Sequence, residues 1–228
     1  MSDGFRSTVR GVWRRFDAER RVEAAERTNV LRRLTVADYV SLVALFVAWT
    51  SALLFLSGEP NWAVVVMFGG FFFDKLDGTV ARWLGIASSF GRSVDSFIDV
   101  FVYLVTAALL FHYTLSPGLL ASAVVGFLVI ALGGLRLIRH DAEGFGEDDG
   151  GSYYHGTTVV HTNVVVVANY LLAAFVGWPW WAALATTVAA CPLMVSDYKA
   201  YKTDGTHALA AVLGLVAVGL CLMLEYGG

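Results

Sequence analysis

Four aspartates, Asp74, Asp77, Asp95 and Asp99, lie close together in a sequence whose surroundings are strongly apolar. Charged groups are costly inside hydrophobic segments and usually mark a site. Both flanks run on into long apolar stretches and are expected to be helical, so Asp74 and Asp77 are spaced i, i+3 and Asp95 and Asp99 i, i+4. Each pair then shares a helix face. Gly91 joins the stripe of Asp95 and Asp99, and Gly78 and Arg82 join that of Asp74. Two acidic stripes facing one another would form a cage for divalent cations. Oxygen-only ligation suits Mg²⁺ or Mn²⁺, and two such ions about 3.5–4 Å apart would polarise a phosphoryl group and stabilise a leaving phosphate. Gly78 would let a nucleotide approach the backbone closely, and Arg82 offers a fork matched to phosphate oxygens. The chemistry expected is transfer of a phosphoryl-linked group. The competing expectation is a cation-coupled membrane transporter whose ion path is lined by the same acids.

The elements that must position these acids are membrane helices. Of the 228 residues, 57% are hydrophobic and 15% charged, too apolar a balance for an ordinary soluble domain. Apolar segments are expected at 38–57, 62–82, 92–113, 118–138 and 158–176, then from the Trp178 turn to 196, and at 207–224. Ahead of them lies an Arg/Glu-rich arm, 1–34, expected to rest as an amphipathic helix on the anionic inner leaflet. The transmembrane catalytic domain is then 35–228. The Gly/Asp/Glu stretch 141–152 has no apolar face and is expected to be a mobile loop, and 197–202 a polar break. With the N-terminus inside, all 16 Lys and Arg fall on the cytoplasmic side, nine of them before the first span. That distribution predicts a plasma-membrane protein with its acids at the cytoplasmic surface. No cleavable signal peptide is expected, because the N-terminus is a long charged segment. Cys191 and Cys221 fall within apolar runs, which argues against a disulfide or a zinc site. No repeat of the spans is evident, which counts against the transporter. Nothing in the charge pattern calls for nucleic acid.

The pattern Asp74-x2-Asp77-Gly78-x2-Ala81-Arg82-x8-Gly91-x3-Asp95-x3-Asp99 resembles, at every defining position, the signature of the CDP-alcohol phosphotransferase family. The resemblance implies an all-α integral membrane fold: a six-helix core, here with one additional C-terminal hydrophobic segment and the N-terminal amphipathic arm. It also implies a homodimer. Asp74, Asp77, Asp95 and Asp99 would hold two Mg²⁺ or Mn²⁺ ions, and Asp99 would also act as general base. Gly78, Ala81, Arg82 and Gly91 would border the CDP group. The reaction implied is attack by an alcohol hydroxyl on the lipid-linked phosphorus of a CDP-lipid, CDP-archaeol or CDP-diacylglycerol, with release of CMP.

The signature does not choose the alcohol. Leu135-Arg136-Leu137-Ile138-Arg139, Tyr154-His155-Gly156 and Leu193-Met194-Val195-Ser196 are similar to stretches of the phosphatidylserine synthase branch, archaeal archaetidylserine synthases included. Two positions depart from that branch: Thr157-Thr158-Val159-Val160 replaces its Leu-Pro-x-Pro, and Asp197 stands where basic residues are usual. L-Serine carries a carboxylate that needs a fixed cation. Arg136 and Arg139, one turn apart at the end of the fourth span, are candidates, with His155 a further acceptor contact. The same arginines suit an inositol phosphate or glycerol phosphate acceptor.

Overall fold

The computed structural model describes residues 29–148, 151–201 and 204–227. The expected N-terminal arm lies outside the described residues as far as residue 28; beyond it a single 3-10 turn, Val30–Arg33, leads into the bundle.

Helix α1, Val36–Leu56, starts on a reciprocal cap: the Thr35 N–H donates to Asp38 Oδ2 at 2.6 Å and the Asp38 N–H to Thr35 Oγ1 at 3.3 Å. Two otherwise unpaired donors of the first turn are thereby satisfied. Gly58 turns the chain into α2, Pro60–Leu84, which opens on the proline that its first turn tolerates. Small residues let α1 and α2 lie close. A β-carbon on Gly70 would meet Ala44 O at 3.7 Å, and the Ser51 hydroxyl donates across the contact to Ala63 O at 2.7 Å.

Helix α3, Ser89–Leu115, opens on Ser88, whose Oγ accepts from the Gly91 N–H at 2.9 Å. It is not uniformly α-helical. Val100–Val105 and Phe111–Leu115 wind as π-helix, and the first of these begins directly after Asp99. Such wide turns recur at functional sites because they re-aim the side chains that follow. Helix α4, Leu119–Glu143, packs along α3. Helices α5, Val159–Val176, and α6, Trp180–Val195, follow, with the last turn of α6 in 3-10 form, and α7, Asp204–Tyr226, closes the chain. Asn163 of α5 supports the first π turn by donating to Tyr103 O at 2.9 Å.

Helices α1, α3, α4 and α5 are long and apolar enough to cross a membrane; α6 and the Ala210–Tyr226 part of α7 are apolar but shorter. Helix α2 has the length, and its apolar run is diluted at one end by Asp74, Lys75, Asp77 and Arg82. Large side chains such as Phe46, Phe127 and Leu120 point outward, as lipid-facing surface does, while Phe55, Met67, Ile98, Leu104 and Val166 fill the interior. The all-α membrane architecture expected from the sequence is the architecture observed, with segment ends that shift by a few residues.

One expectation is corrected. The stretch 141–152 is not a featureless loop: strands β1, Gly146–Asp148, and β2, Gly151–His155, pair antiparallel, and β3, Lys199–Tyr201, from the expected polar break adds a third strand on the other edge of β2. The physical reason is contact across some fifty residues of sequence. Tyr153 turns inward against the Tyr201 ring at 5.7 Å and under the Lys199 ammonium at 4.6 Å. Asp148 accepts from Lys199 Nζ at 2.5 Å and from the Tyr201 hydroxyl at 3.1 Å. None of this leaves a local periodicity to read.

Candidate active site

The C-terminal part of α2 and the first turns of α3 bring three of the four aspartates together. One carboxylate oxygen each from Asp74, Asp95 and Asp99 lies within 4.8 Å of the others. Two oxygens bound to opposite sides of one octahedral ion, with bonds of about 2.1 Å, stand about 4.2 Å apart, so the spacing suits a small divalent cation. Among the described residues no lysine or arginine is ion-paired with any of the three. Carboxylates this close repel one another unless a cation or a proton lies among them. The donor set fits a hard metal ion: all oxygen, all anionic, and drawn from two helices that other contacts fix.

Those contacts are specific. The Tyr103 hydroxyl, from the first π turn of α3, donates to Asp74 Oδ2 at 2.6 Å. The Tyr103 ring is buried against Phe71, with centroids 4.5 Å apart. Asp77 is placed differently from the other three. It is buried, and its Oδ2 accepts a short hydrogen bond from the Ser41 hydroxyl of α1. Asp38, also buried, borders the same end of the site: a β-carbon on Gly91 would stand 3.0 Å from Asp38 Oδ1. Only a glycine lets α3 come so near that carboxylate. Gly78 is covered by Arg82, whose Nη1 would lie 3.1 Å from a β-carbon there, and Arg82 Nη2 donates to Thr79 Oγ1 at 3.4 Å. Among the described residues that exposed guanidinium has one weak hydrogen-bond partner and is available to an anion. Ala81 lies one turn before Gly85 on α2, half-buried against Ala37, Leu84 and Ile86.

A second group forms where α4 ends. Arg139 is committed to backbone: Nη2 donates to His155 O at 2.7 Å, to Met194 O at 3.2 Å and to Ser196 O at 3.2 Å, and Nη1 donates to Val195 O at 3.4 Å. These include carbonyls at the end of α6, which no continuing helix satisfies. Gly156 closes the same knot. Its φ is +72°, its N–H donates to Tyr198 O at 2.6 Å, and a β-carbon would stand 2.5 Å from Met194 O. The three stretches Leu135–Arg139, Tyr154–Gly156 and Leu193–Ser196, far apart in sequence, therefore meet at one place.

Arg136 has a different role from Arg139. It is 5% exposed, and among the described residues it has neither an ion pair nor a hydrogen bond. Its guanidinium lies over the Tyr154 ring, 5.4 Å from the centroid, and its charge interacts with that of Asp99. Burial pushes the Tyr154 phenol above its ordinary range, with Arg136 pulling the other way, so the ring is neutral at physiological pH. A cleft beside it is lined by Arg136, Arg139, His140, Glu143, Gly144 and His155. The His155 ring stacks edge-on against Tyr153 at 5.1 Å. Buried cations are normally paired, so an unpaired one next to an acidic cluster is prepared for an anion that arrives with a ligand.

Four neighbours of the site, Asp38, Ser41, Tyr103 and Tyr154, carry no assignment from sequence reasoning. Asp38 and Ser41 had a usable signal, being two polar residues i, i+3 on one face of an otherwise apolar span. Tyr103 stands four residues after Asp99 on the same helix, a weaker signal, since the π turn alters the register there.

Residues 34–189 match the family model of CDP-alcohol phosphatidyltransferase. Over 180 residues, 78% of this chain and 74% of the relative, the chain is 28% identical to an archaetidylserine synthase of Methanothermobacter thermautotrophicus. Over 112 residues it is 31% identical to a CDP-diacylglycerol–serine O-phosphatidyltransferase of Methanocaldococcus jannaschii, a match that spans 49% of this chain and 51% of that protein. Among solved structures, phosphatidylinositol phosphate synthase of Mycobacterium tuberculosis with CDP-DAG bound superposes with a TM-score of 0.52 at 19% identity, covering 83% of this chain and 89% of the other. At that identity the likeness is one of fold.

Proposed function

The chain belongs to the CDP-alcohol phosphatidyltransferase family, and from that premise we propose that it transfers the lipid phosphate of a CDP-lipid, CDP-archaeol or CDP-diacylglycerol, to L-serine, releasing CMP. The observation that carries the serine assignment is the unpaired, buried Arg136 beside the acid cluster, at the meeting point of the three serine-branch stretches. Both named relatives carry serine products or substrates in their names, which supports the same reading.

In this reading Asp74, Asp95 and Asp99 form the main ligand set, and the Asp77 carboxylate, positioned by Ser41, completes it. Two Mg²⁺ or Mn²⁺ ions held there would neutralise charge on the pyrophosphate and on the departing phosphate. Gly78, Ala81, Arg82 and Gly91 border the CDP group, with Arg82 turning from Thr79 to a phosphate oxygen. Arg136 receives the serine carboxylate. Asp99 accepts the hydroxyl proton as the serine oxygen bonds to the lipid-bearing phosphorus. The bond from that phosphorus to the bridging oxygen breaks, and its electron pair leaves with CMP. Positioned proton removal of this kind contributes ~10²–10⁴-fold. Arg139 serves the acceptor side by holding its walls, and the His155 ring borders the cleft as a further acceptor contact. The clustering of basic residues on one side supports a cytoplasmic N-terminus and a cytoplasm-facing site in the plasma membrane, and the family resemblance supports a homodimer.

The test is CMP release by purified protein given CDP-archaeol or CDP-diacylglycerol, Mn²⁺ or Mg²⁺, and a panel of alcohols. Release with L-serine, abolished by EDTA and restored by the metal, is expected. Release with inositol phosphate or glycerol phosphate and none with L-serine would overturn the acceptor assignment while leaving the family chemistry intact.

A further inference from the structure

The transfer reaction gives the Tyr154 ring of the small sheet no task, yet that ring lies against Arg136, which among the described residues has neither an ion pair nor a hydrogen bond. Tyr154 is on β2, the central strand, where it pairs with Ala200 of β3, and the preceding residue, Tyr153, pairs with both Gly146 of β1 and Tyr201 of β3. The outer strands are tied together by the Lys199 and Tyr201 bonds to Asp148. The sheet is tied to the bundle through His155 O, which accepts from Arg139. The Tyr154 ring is itself wedged against Phe145 at 4.9 Å and His140 at 5.6 Å. A side chain so constrained, with Arg136 over its face, limits where the guanidinium can go.

We propose that Tyr154 is a positioning residue for acceptor recognition: its ring holds the Arg136 guanidinium toward Asp99, where it receives the carboxylate of an amino-acid alcohol. The inference rests on the serine reading of Arg136. Geometry and chemistry agree on it. Among the described residues no ion pair joins Arg136 to Asp99, although their charges interact, so the serine reading places the acceptor's carboxylate on the first and its hydroxyl at the second. A guanidinium on an aromatic face keeps its N–H fork free in the ring plane direction for a bidentate carboxylate. Without the ring, the long arginine side chain regains its rotamers and the acceptor must order it on binding. CDP-lipid, bound through the acids and Arg82, does not depend on that ordering.

The experiment compares the parent enzyme with Tyr154→Leu and Tyr154→Phe, measuring CMP release against L-serine and, separately, against CDP-diacylglycerol. Leu keeps apolar bulk in the wedge and removes the aromatic face; Phe keeps the face. Tyr154→Leu is expected to raise the KM for L-serine about tenfold while the KM for CDP-lipid and the kcat at saturating serine stay within about twofold, and Tyr154→Phe is expected to match the parent. An unchanged serine KM in Tyr154→Leu overturns the proposal, as does a parallel rise in both KM values, which marks general damage to the fold. A Phe variant as impaired as Leu also overturns it, because the hydroxyl and not the ring would then be at work. The serine reading fails separately, in the parent itself, if L-serine releases no CMP.

Discussion

Arg139→Met separates the two arginines of α4 most sharply. Met keeps much of the stem and removes the guanidinium, which donates to four backbone carbonyls between 2.7 and 3.4 Å. The bond to His155 O is short and charge-assisted, worth ~1.5–3 kcal/mol, and the three longer ones add less, so the loss comes to roughly 3–5 kcal/mol at this half-buried position. For a chain of this length each kcal/mol moves the unfolding midpoint by about 2–4 °C, which places the expected fall at roughly 6–20 °C. Thermal unfolding in detergent reads it directly. Arg139→Lys should recover only part of the loss, because an ammonium cannot span four carbonyls as a planar fork does. An Arg139→Met protein with the parent midpoint and a raised acceptor KM would refute this reasoning and move Arg139 from the wall of the site into contact with the substrate.

Three further outcomes follow from the site geometry. Tyr103→Phe removes the donor on Asp74 Oδ2 and should raise the Mn²⁺ concentration for half-maximal thermal stabilisation about tenfold; an unchanged titration would show that the hydroxyl does not hold the ligand. Gly156→Ala puts a β-carbon 2.5 Å from Met194 O at a φ of +72°, and the protein should fail to accumulate as a monodisperse membrane species, normal size-exclusion behaviour being the contrary result. Asp99→Asn should abolish turnover at every pH while retained binding of labelled CDP-lipid shows an intact site, and residual activity would remove Asp99 as the base.

The helices were legible because the physics that makes them is local. Apolar length marks α1, α3, α4 and α5, and Gly58 and Pro60 announce the first turn within a residue or two. The sheet was not legible for the complementary reason. β1 and β2 are short, glycine-bearing and polar, and they become strands because Tyr153 and Asp148 find Tyr201 and Lys199 far along the chain. The π turns were equally hidden, since Val100–Val105 reads as plain apolar helix and the Asn163 amide that donates to its Tyr103 carbonyl comes from α5.

The same division runs through the site and explains why its two halves differ in legibility. The acids come from two consecutive helices, and spacing along each helix brings Asp95 beside Asp99 without help from tertiary structure. Asp77 shows the limit of that logic: it shares a helix face with Asp74, yet Ser41 from α1 takes one of its oxygens, a competition that no spacing within α2 can reveal. The acceptor half has no periodicity. Arg136 and Arg139 look equivalent in sequence, one turn apart on the same helix end, and only the carbonyls of His155 and of residues 194–196 distinguish them. Backbone acceptors are invisible to residue-type reasoning because every residue carries one. An arginine with its donors spent on carbonyls is structural, and a more deeply buried arginine with none spent on the described residues keeps its donors for a ligand. By that criterion Arg136 is the arginine we propose for the acceptor's anion, and the ring beneath it is the side chain whose alteration tests the assignment.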